Sequence, residues 1–363
     1  MASAYRWRQL RLAPLALSGV LGRSVSQSEP CLGKIPFPPL DQRLMRAILL
    51  LRGVYDSNDL GRKTMARCAQ RLLERLQREV SPRDADPLPS VQWSECDPAH
   101  FYDRFVKHQQ PVVIKGAPTK TSHWSIDWLV ANHGDQEASL MDTDGGIFDG
   151  GKIRDLLETA PNGGPFYIHN HSAFFQESPE YRADLCQAQF AALLRRNAPI
   201  AAGIFASIRS GTRSFMHCAN NLNTFTLLEG RKRWTLVDPN YFLLVYPFLS
   251  HTNNFQLALV TGDDKDDLPL YRYCPRYTVE LEPGDCLMIP PFWYHGIENL
   301  CARTLAVAVR WMPHQRGEDL TNTLFRFLDG AANRDEPGNK GAHQDSSELV
   351  GTGAARSSWG LPA

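Results

Sequence analysis

Two histidines 78 residues apart, His217 and His295, stand in segments whose other residues could also do chemistry. The first lies in Ser214-Phe-Met-His217-Cys-Ala-Asn220, which leads to Asn223 and then to Gly230-Arg-Lys232-Arg-Trp234. The second closes Pro283-Gly-Asp-Cys-Leu-Met-Ile-Pro-Pro-Phe-Trp-Tyr-His295. An imidazole on a strand is either a metal ligand or a hydrogen-bonded structural group, and a lone one is usually the latter. Lys232 sits in a run of three cations and is either a solvated turn residue or a buried ammonium, which would need an anion to offset its desolvation. Arg310 poses the same alternative next to the apolar strand Leu305-Ala-Val-Ala-Val309: it points to solvent, or it faces inward and needs an anionic partner. Ser214 and Asn223 can hydrogen-bond a ligand, but turns favour the same residue types. The eight cysteines contain no CxxC pair and lack the dense spacing of a secreted disulfide scaffold, which argues against structural zinc and for thiols that are mostly reduced. The glycines of Asp144-Gly-Gly146 and Asp149-Gly-Gly151 lack phosphate-loop spacing and read as turns.

Taken together, a His, a GRKRW turn thirteen residues on and a PGD…P-x-W-x-H segment resemble the Jumonji-C branch of the cupin-fold, iron(II)- and 2-oxoglutarate-dependent oxygenases. The chain looks like the protein- and tRNA-modifying members related to factor-inhibiting-HIF, over roughly Val91 to Met312. The resemblance implies a double-stranded β-helix (jelly-roll) barrel and a dioxygenase that decarboxylates 2-oxoglutarate at Fe(II) while hydroxylating a protein side chain or an RNA base. Iron in that superfamily takes two histidines and one carboxylate, leaving positions for 2-oxoglutarate and dioxygen. On this reading His217 is the first metal ligand and His295 the distal one, and the two form the catalytic pair. Lys232, fifteen residues after His217, falls where the family's lysine binds the far carboxylate of 2-oxoglutarate. Ser214, Asn223 and Tyr167 fall around the same co-substrate, and Arg310 assists Lys232 if it faces inward.

The pattern breaks at one position. Strand residues i and i+2 share a face, so a His-x-Asp pair supplies two ligands, but the residue two after His217 is Ala219. A methyl group cannot ligate a metal. Cys218 and Asn220 would point to the opposite face of a regular strand unless a bulge turns one inward, and Asn221 has the parity of His217 but lies beyond the ligand position. Three readings compete. Iron and 2-oxoglutarate are retained with water or halide at the third position, as in halogenases of the broader superfamily. Alternatively, metal affinity is lost and the domain is a non-catalytic binding module. In the third reading a distant carboxylate, Asp142 or Asp144, substitutes.

The elements that must position these residues are short strands punctuated by Gly, Pro, Asn and Asp: Pro111–Lys115, Ile204–Ile208, Thr224–Leu228, Trp234–Val237 and Leu305–Val309. With helices at Ala99–Lys107 and Ala183–Arg196 they predict a mainly β class with flanking helices, a sandwich or barrel. Residues 1–30 read as a targeting segment, 31–90 as a linker and helical preface, 91–316 as the barrel, and 317–363 as a short helix followed by a disordered tail. The preface holds apolar periodicity over Leu44–Leu51 and Met65–Val80; Arg67, Arg71, Arg75 and Arg78 share one face of the second helix, a solvated face or a binding surface.

Charge is balanced overall, 39 Lys+Arg against 39 Asp+Glu, which removes the electrostatic argument for DNA as a partner. It is uneven along the chain, with 14 Lys+Arg and 6 Asp+Glu in residues 1–80. No acidic residue precedes Glu29 while Arg6, Arg8, Arg11 and Arg23 do, so the segment reads as a mitochondrial transit peptide, with a secretory signal or a basic cytoplasmic terminus as the alternatives. The aliphatic run Ala47–Leu51 is too short to span a membrane.

Overall fold

The computed structural model describes residues 62–82, 84–141, 147–158, 167–196, 199–247, 258–261 and 267–312, with 43, 44, 47 and 359 as single positions. Among the described residues the strands are β1 (Asp86–Pro87), β2 (Ser90–Gln92), β3 (Val112–Lys115), β4 (Glu137–Met141), β5 (Ile147–Lys152), β6 (Tyr167–His171), β7 (Pro199–Ser207), β8 (Leu222–Glu229), β9 (Lys232–Val237), β10 (Tyr277–Leu281), β11 (Cys286–Ile289), β12 (Tyr294–Asn299) and β13 (Thr304–Trp311). They form a small sheet, β1-β10-β9-β12, and a large one, β2-β3-β11-β8-β13-β7-β6-β4-β5.

Side-chain alternation assigns the faces. On β13, Leu305, Val307, Val309 and Trp311 join an outer apolar cluster, while Ala306 and Ala308 join an inner one. The outer cluster is covered by α2 (Pro98–Phe101), α3 (Ile126–His133), α4 (Ile153–Glu158), α5 (Ala173–Glu177) and α6 (Gln187–Leu194) once α1 (Arg62–Glu79) has entered from the N-terminal side. The inner cluster packs Phe225, Leu227 and Leu287 of the large sheet against Trp234, Leu236 and Leu281 of the small one. This is the mainly β, helix-flanked double-stranded β-helix that the strand pattern predicts.

Helix α1 is no detached preface. Met65, Cys68, Leu72 and Leu76 recur at helical spacing, are buried, and pack with Phe242, Leu244, Tyr246 and Leu270 in a third cluster. At about 1.5–3 kcal/mol for each large apolar side chain, that burial ties the helix to the barrel. Its other face is solvated: Arg67, Arg71 and Arg78 are exposed, and Arg75 pairs with Glu79 at 2.9 Å. The barrel strands also begin earlier than Val91, because β1 pairs with β10 and β2 with β3.

One turn reading is corrected. Asp149-Gly-Gly151 lies within β5, not in a turn, because a Cβ at Gly150 would collide with the Ala138 carbonyl on β4, so glycine serves strand contact there. The Gly145–Gly146 turn, Asp142, Asp144, most of Leu44–Leu51 and residues 1–30 lie outside the described residues. So does the tail, except Trp359, which is buried, meets the Tyr246 ring at 5.1 Å and donates to the Pro247 carbonyl. Among the described residues no disulfide forms, and no helix is long and apolar enough to cross a membrane.

Candidate functional site

An antiparallel bridge brings His217 and His295 face to face: the His217 N–H donates to the His295 carbonyl at 3.0 Å and the His295 N–H to the His217 carbonyl at 2.7 Å. Their rings lie 4.3 Å apart between centroids. Each Nδ1 is 2.9 Å from a carbonyl two residues upstream, Phe215 for His217 and Trp293 for His295. A carbonyl only accepts, so each Nδ1 carries the proton and each Nε2 the lone pair, the tautomer a metal requires. Burial, and then the neighbouring His217, hold His295 well below the ordinary histidine range, so its ring is neutral at pH 7. Trp234 stands 5.6 Å behind it. The turn that delivers His295 holds Phe292 at φ 64°, a left-handed conformation that a bulky residue adopts only where the surroundings impose it.

The residue two after His217 carries only a methyl group. Ala219 stays in the same pairing, its carbonyl accepting the Phe292 N–H at 2.7 Å. Cys218 turns away, buried in the third cluster with Tyr294 and helix α1. No group of three or more His, Cys, Asp or Glu able to hold a metal occurs among the described residues. Two imidazoles and a methyl do not make the three-ligand face.

Further polar residues line the interior. Lys232, Trp234 and Leu236 alternate inward on β9, opposite Asn299, Ile297 and His295 on β12. Gly230 makes the preceding turn at φ +83°, where a Cβ would strike the Arg303 carbonyl. Lys232 is 6% exposed and donates to Asn299 Oδ1; no carboxylate among the described residues lies within ion-pair distance of it. Burial lowers its pKa to about 7. Arg310 continues the inward parity of Ala306 and Ala308, is the cross-strand partner of Asn223, and is lowered by burial with no ion pair among the described residues. Asn223 Oδ1 and Trp234 Nε1 are buried without a hydrogen-bond partner. Two inward cations without a carboxylate partner among the described residues, an indole N–H and an amide oxygen thus face the interior, and buried groups of this kind are costly unless paired.

The structure therefore gathers His217, His295, Lys232, Asn223 and Arg310 in one interior. Tyr167 is on β6, its ring 5.7 Å from His169, which meets Phe205 edge-on at 5.0 Å, and no ring contact among the described residues places it with the other predicted site residues. Ser214 is not brought there: its hydroxyl accepts the Ile297 N–H at 3.1 Å, and the residue lines a cavity on the outer face of the small sheet. Sequence reasoning missed Trp234 and Asn299. Their signal was parity, two residues after Lys232 and four after His295.

A helix-flanked double-stranded β-helix with two histidines facing each other across its strands defines the cupin class. A sequence model of the cupin-like domain matches residues 98–317, and the chain belongs to that family. It is similar to the HSPB1-associated protein 1 homolog of Danio rerio, 25% identical over 55% of this chain and 51% of that protein. It is also similar to Jumonji C domain-containing protein 5 of Drosophila melanogaster, 29% identical over 44% of this chain and 42% of that one. A third likeness is to tRNA wybutosine-synthesizing protein 5 of Mus musculus, 23% identical over 54% of this chain and 70% of that protein. The chain spans about half the length of the first two relatives.

Proposed function

We propose that the barrel binds 2-oxoglutarate and belongs to an oxygenase-type protein acting on a protein or RNA substrate, with iron held by His217 and His295 alone. The observation that carries this is the pair of interior cations without carboxylate partners, Lys232 and Arg310, beside the unpartnered Asn223 Oδ1 and Trp234 Nε1. Lys232 and Arg310 neutralise a dianion, the indole N–H adds a donor, and the aromatic wall of Phe225 and Trp234 keeps water from the charges. Macromolecular substrates come from the relatives, one of which is named for tRNA modification.

Ala219 favours two further readings: iron is retained with chloride beside the methyl in halogenase-type chemistry, or metal affinity is lost and the barrel binds without turnover. The three share the anion pocket. Calorimetric titration of 2-oxoglutarate into the metal-free full chain tests that pocket. Saturable binding that Lys232→Met abolishes supports it, and absence of binding in the wild type contradicts it. The basic segment 1–30 is proposed as a mitochondrial address, and a fusion of those residues to a reporter that stays cytosolic would contradict that.

A further inference from the structure

We infer that the outer face of the small sheet carries a second ligand site, a pocket for a small oxyanion centred on Arg276. Inward residues of β9 and β12 build the barrel interior; the outward ones, Thr235 and Gly296, floor a separate cavity of about 290 Å³. That volume lies at the lower end of small-molecule pockets, about 300–1,000 Å³. Met216 and Val260 give it an apolar wall.

Its charges are unequal. Glu298 is held by Arg213 at 2.9 Å and Arg233 at 3.2 Å, and Arg233 also takes Glu280 at 2.7 Å, so the rim is compensated. Arg276 is 5% exposed, and its Nη1 donates to the carbonyls of Cys274 at 3.1 Å and Tyr271 at 3.5 Å. Its guanidinium lies over the Tyr271 ring, 4.9 Å from the centroid. No carboxylate among the described residues is within ion-pair distance of it, although Asp84 shares the lining. A buried guanidinium held by carbonyls and a ring keeps its Nε and Nη2 edge for an oxyanion, and planar oxyanions match that fork. The hydroxyl of Thr235 supplies a further donor, and the apolar wall accepts a short hydrocarbon part. The ligand class is a small carboxylated or phosphorylated metabolite. It would bind back to back with the barrel interior, on the peptide neighbours of His295 and Trp234, and the site stands whether or not the barrel takes 2-oxoglutarate.

The test is calorimetric titration of the full chain with inorganic phosphate and, separately, with propionate, in the wild type, Arg276→Gln, Gly296→Leu and Lys232→Met. At Gly296 a Cβ meets nothing nearer than the Ser214 carbonyl oxygen at 3.8 Å, so Gly296→Leu fills the cavity without disturbing the backbone. One anion should saturate wild type and Lys232→Met alike, weaken about tenfold or more in Arg276→Gln, and be lost in Gly296→Leu at an unchanged melting temperature. The tighter of the two anions identifies phosphate or carboxylate as the source. If Arg276→Gln does not fold, Gly296→Leu decides alone. The proposal is overturned if neither anion saturates the wild type, if binding survives Gly296→Leu, or if Lys232→Met removes it, since the anion would then lie in the barrel.

Discussion

At the bridge end of the barrel, His217 and His295 are held by paired backbone hydrogen bonds and by a carbonyl on each Nδ1, and the position that would complete a metal face is a methyl. Farther along β9 and β12 lie Lys232 and Asn299, while Arg310 and Asn223 face inward from the large sheet, with Arg310 close enough to His295 to act on it. Neither cation has a carboxylate within ion-pair distance among the described residues. The histidine pair is fixed by hydrogen bonds to backbone carbonyls, whereas the two inward cations have no opposite charge beside them among the described residues. Keeping a buried ammonium costs stability, and its hydrogen bond to the neutral Asn299 Oδ1 offsets only part of that cost.

The largest effect should come from Lys232→Met. It should weaken 2-oxoglutarate binding by about a hundredfold or more, since a buried charged hydrogen bond is lost with its counter-charge, and raise the stability of the ligand-free protein by a few kcal/mol at pH 7. Denaturant melts and calorimetry check both halves, and a destabilised variant would mean that Lys232 is anchored by something other than a guest. The pH dependence is next in size. The folded pKa of Lys232 is about 7, below its ordinary value of 10.5, so between those pH values the unfolded chain binds a proton that the native state does not. Stability of the free protein should therefore fall as pH drops from 10.5 to about 7 and level off below. Binding of the dianion restores the proton, so affinity should be flat below pH 7 and fall about tenfold per unit above it. A flat affinity from pH 6 to pH 9 would separate Lys232 from the ligand. The smallest effect belongs to Cys218→Ala, which should change iron affinity by less than about twofold, because that thiol lies in the third cluster with Tyr294. A larger loss would show that a bulge turns Cys218 to the metal.

Much of this was legible before the structure. The two histidine segments and the lysine offset are motif-level signals, and Arg310 stood out as a charge on an apolar strand. Ser214 was not legible, because its facing depends on a one-residue slip between the Arg213–Glu298 and His217–His295 bridges, which reverses parity and which local sequence does not encode. Asn299 escaped notice because its part is set by the register of β12 against β9, a pairing across 67 positions. The role of α1 was hidden likewise: its apolar stripe was readable, but its partners Phe242 and Leu244 lie far along the chain. Gly150 misled because the residue that permits a turn also permits close backbone approach within a strand.

The central claim is that the anion pocket is whole while the metal face lacks one ligand. Anaerobic Fe(II) titration with saturating 2-oxoglutarate, following the visible charge-transfer band in wild type and Ala219→Asp, tests it most directly. A direct ligand is worth at least the roughly tenfold to hundredfold of an outer partner, so Ala219→Asp should tighten iron by that much or more and intensify the band, while 2-oxoglutarate affinity without metal stays the same. A wild-type band of full intensity at low iron, unchanged by Ala219→Asp, would contradict the account and place the third ligand elsewhere in the chain.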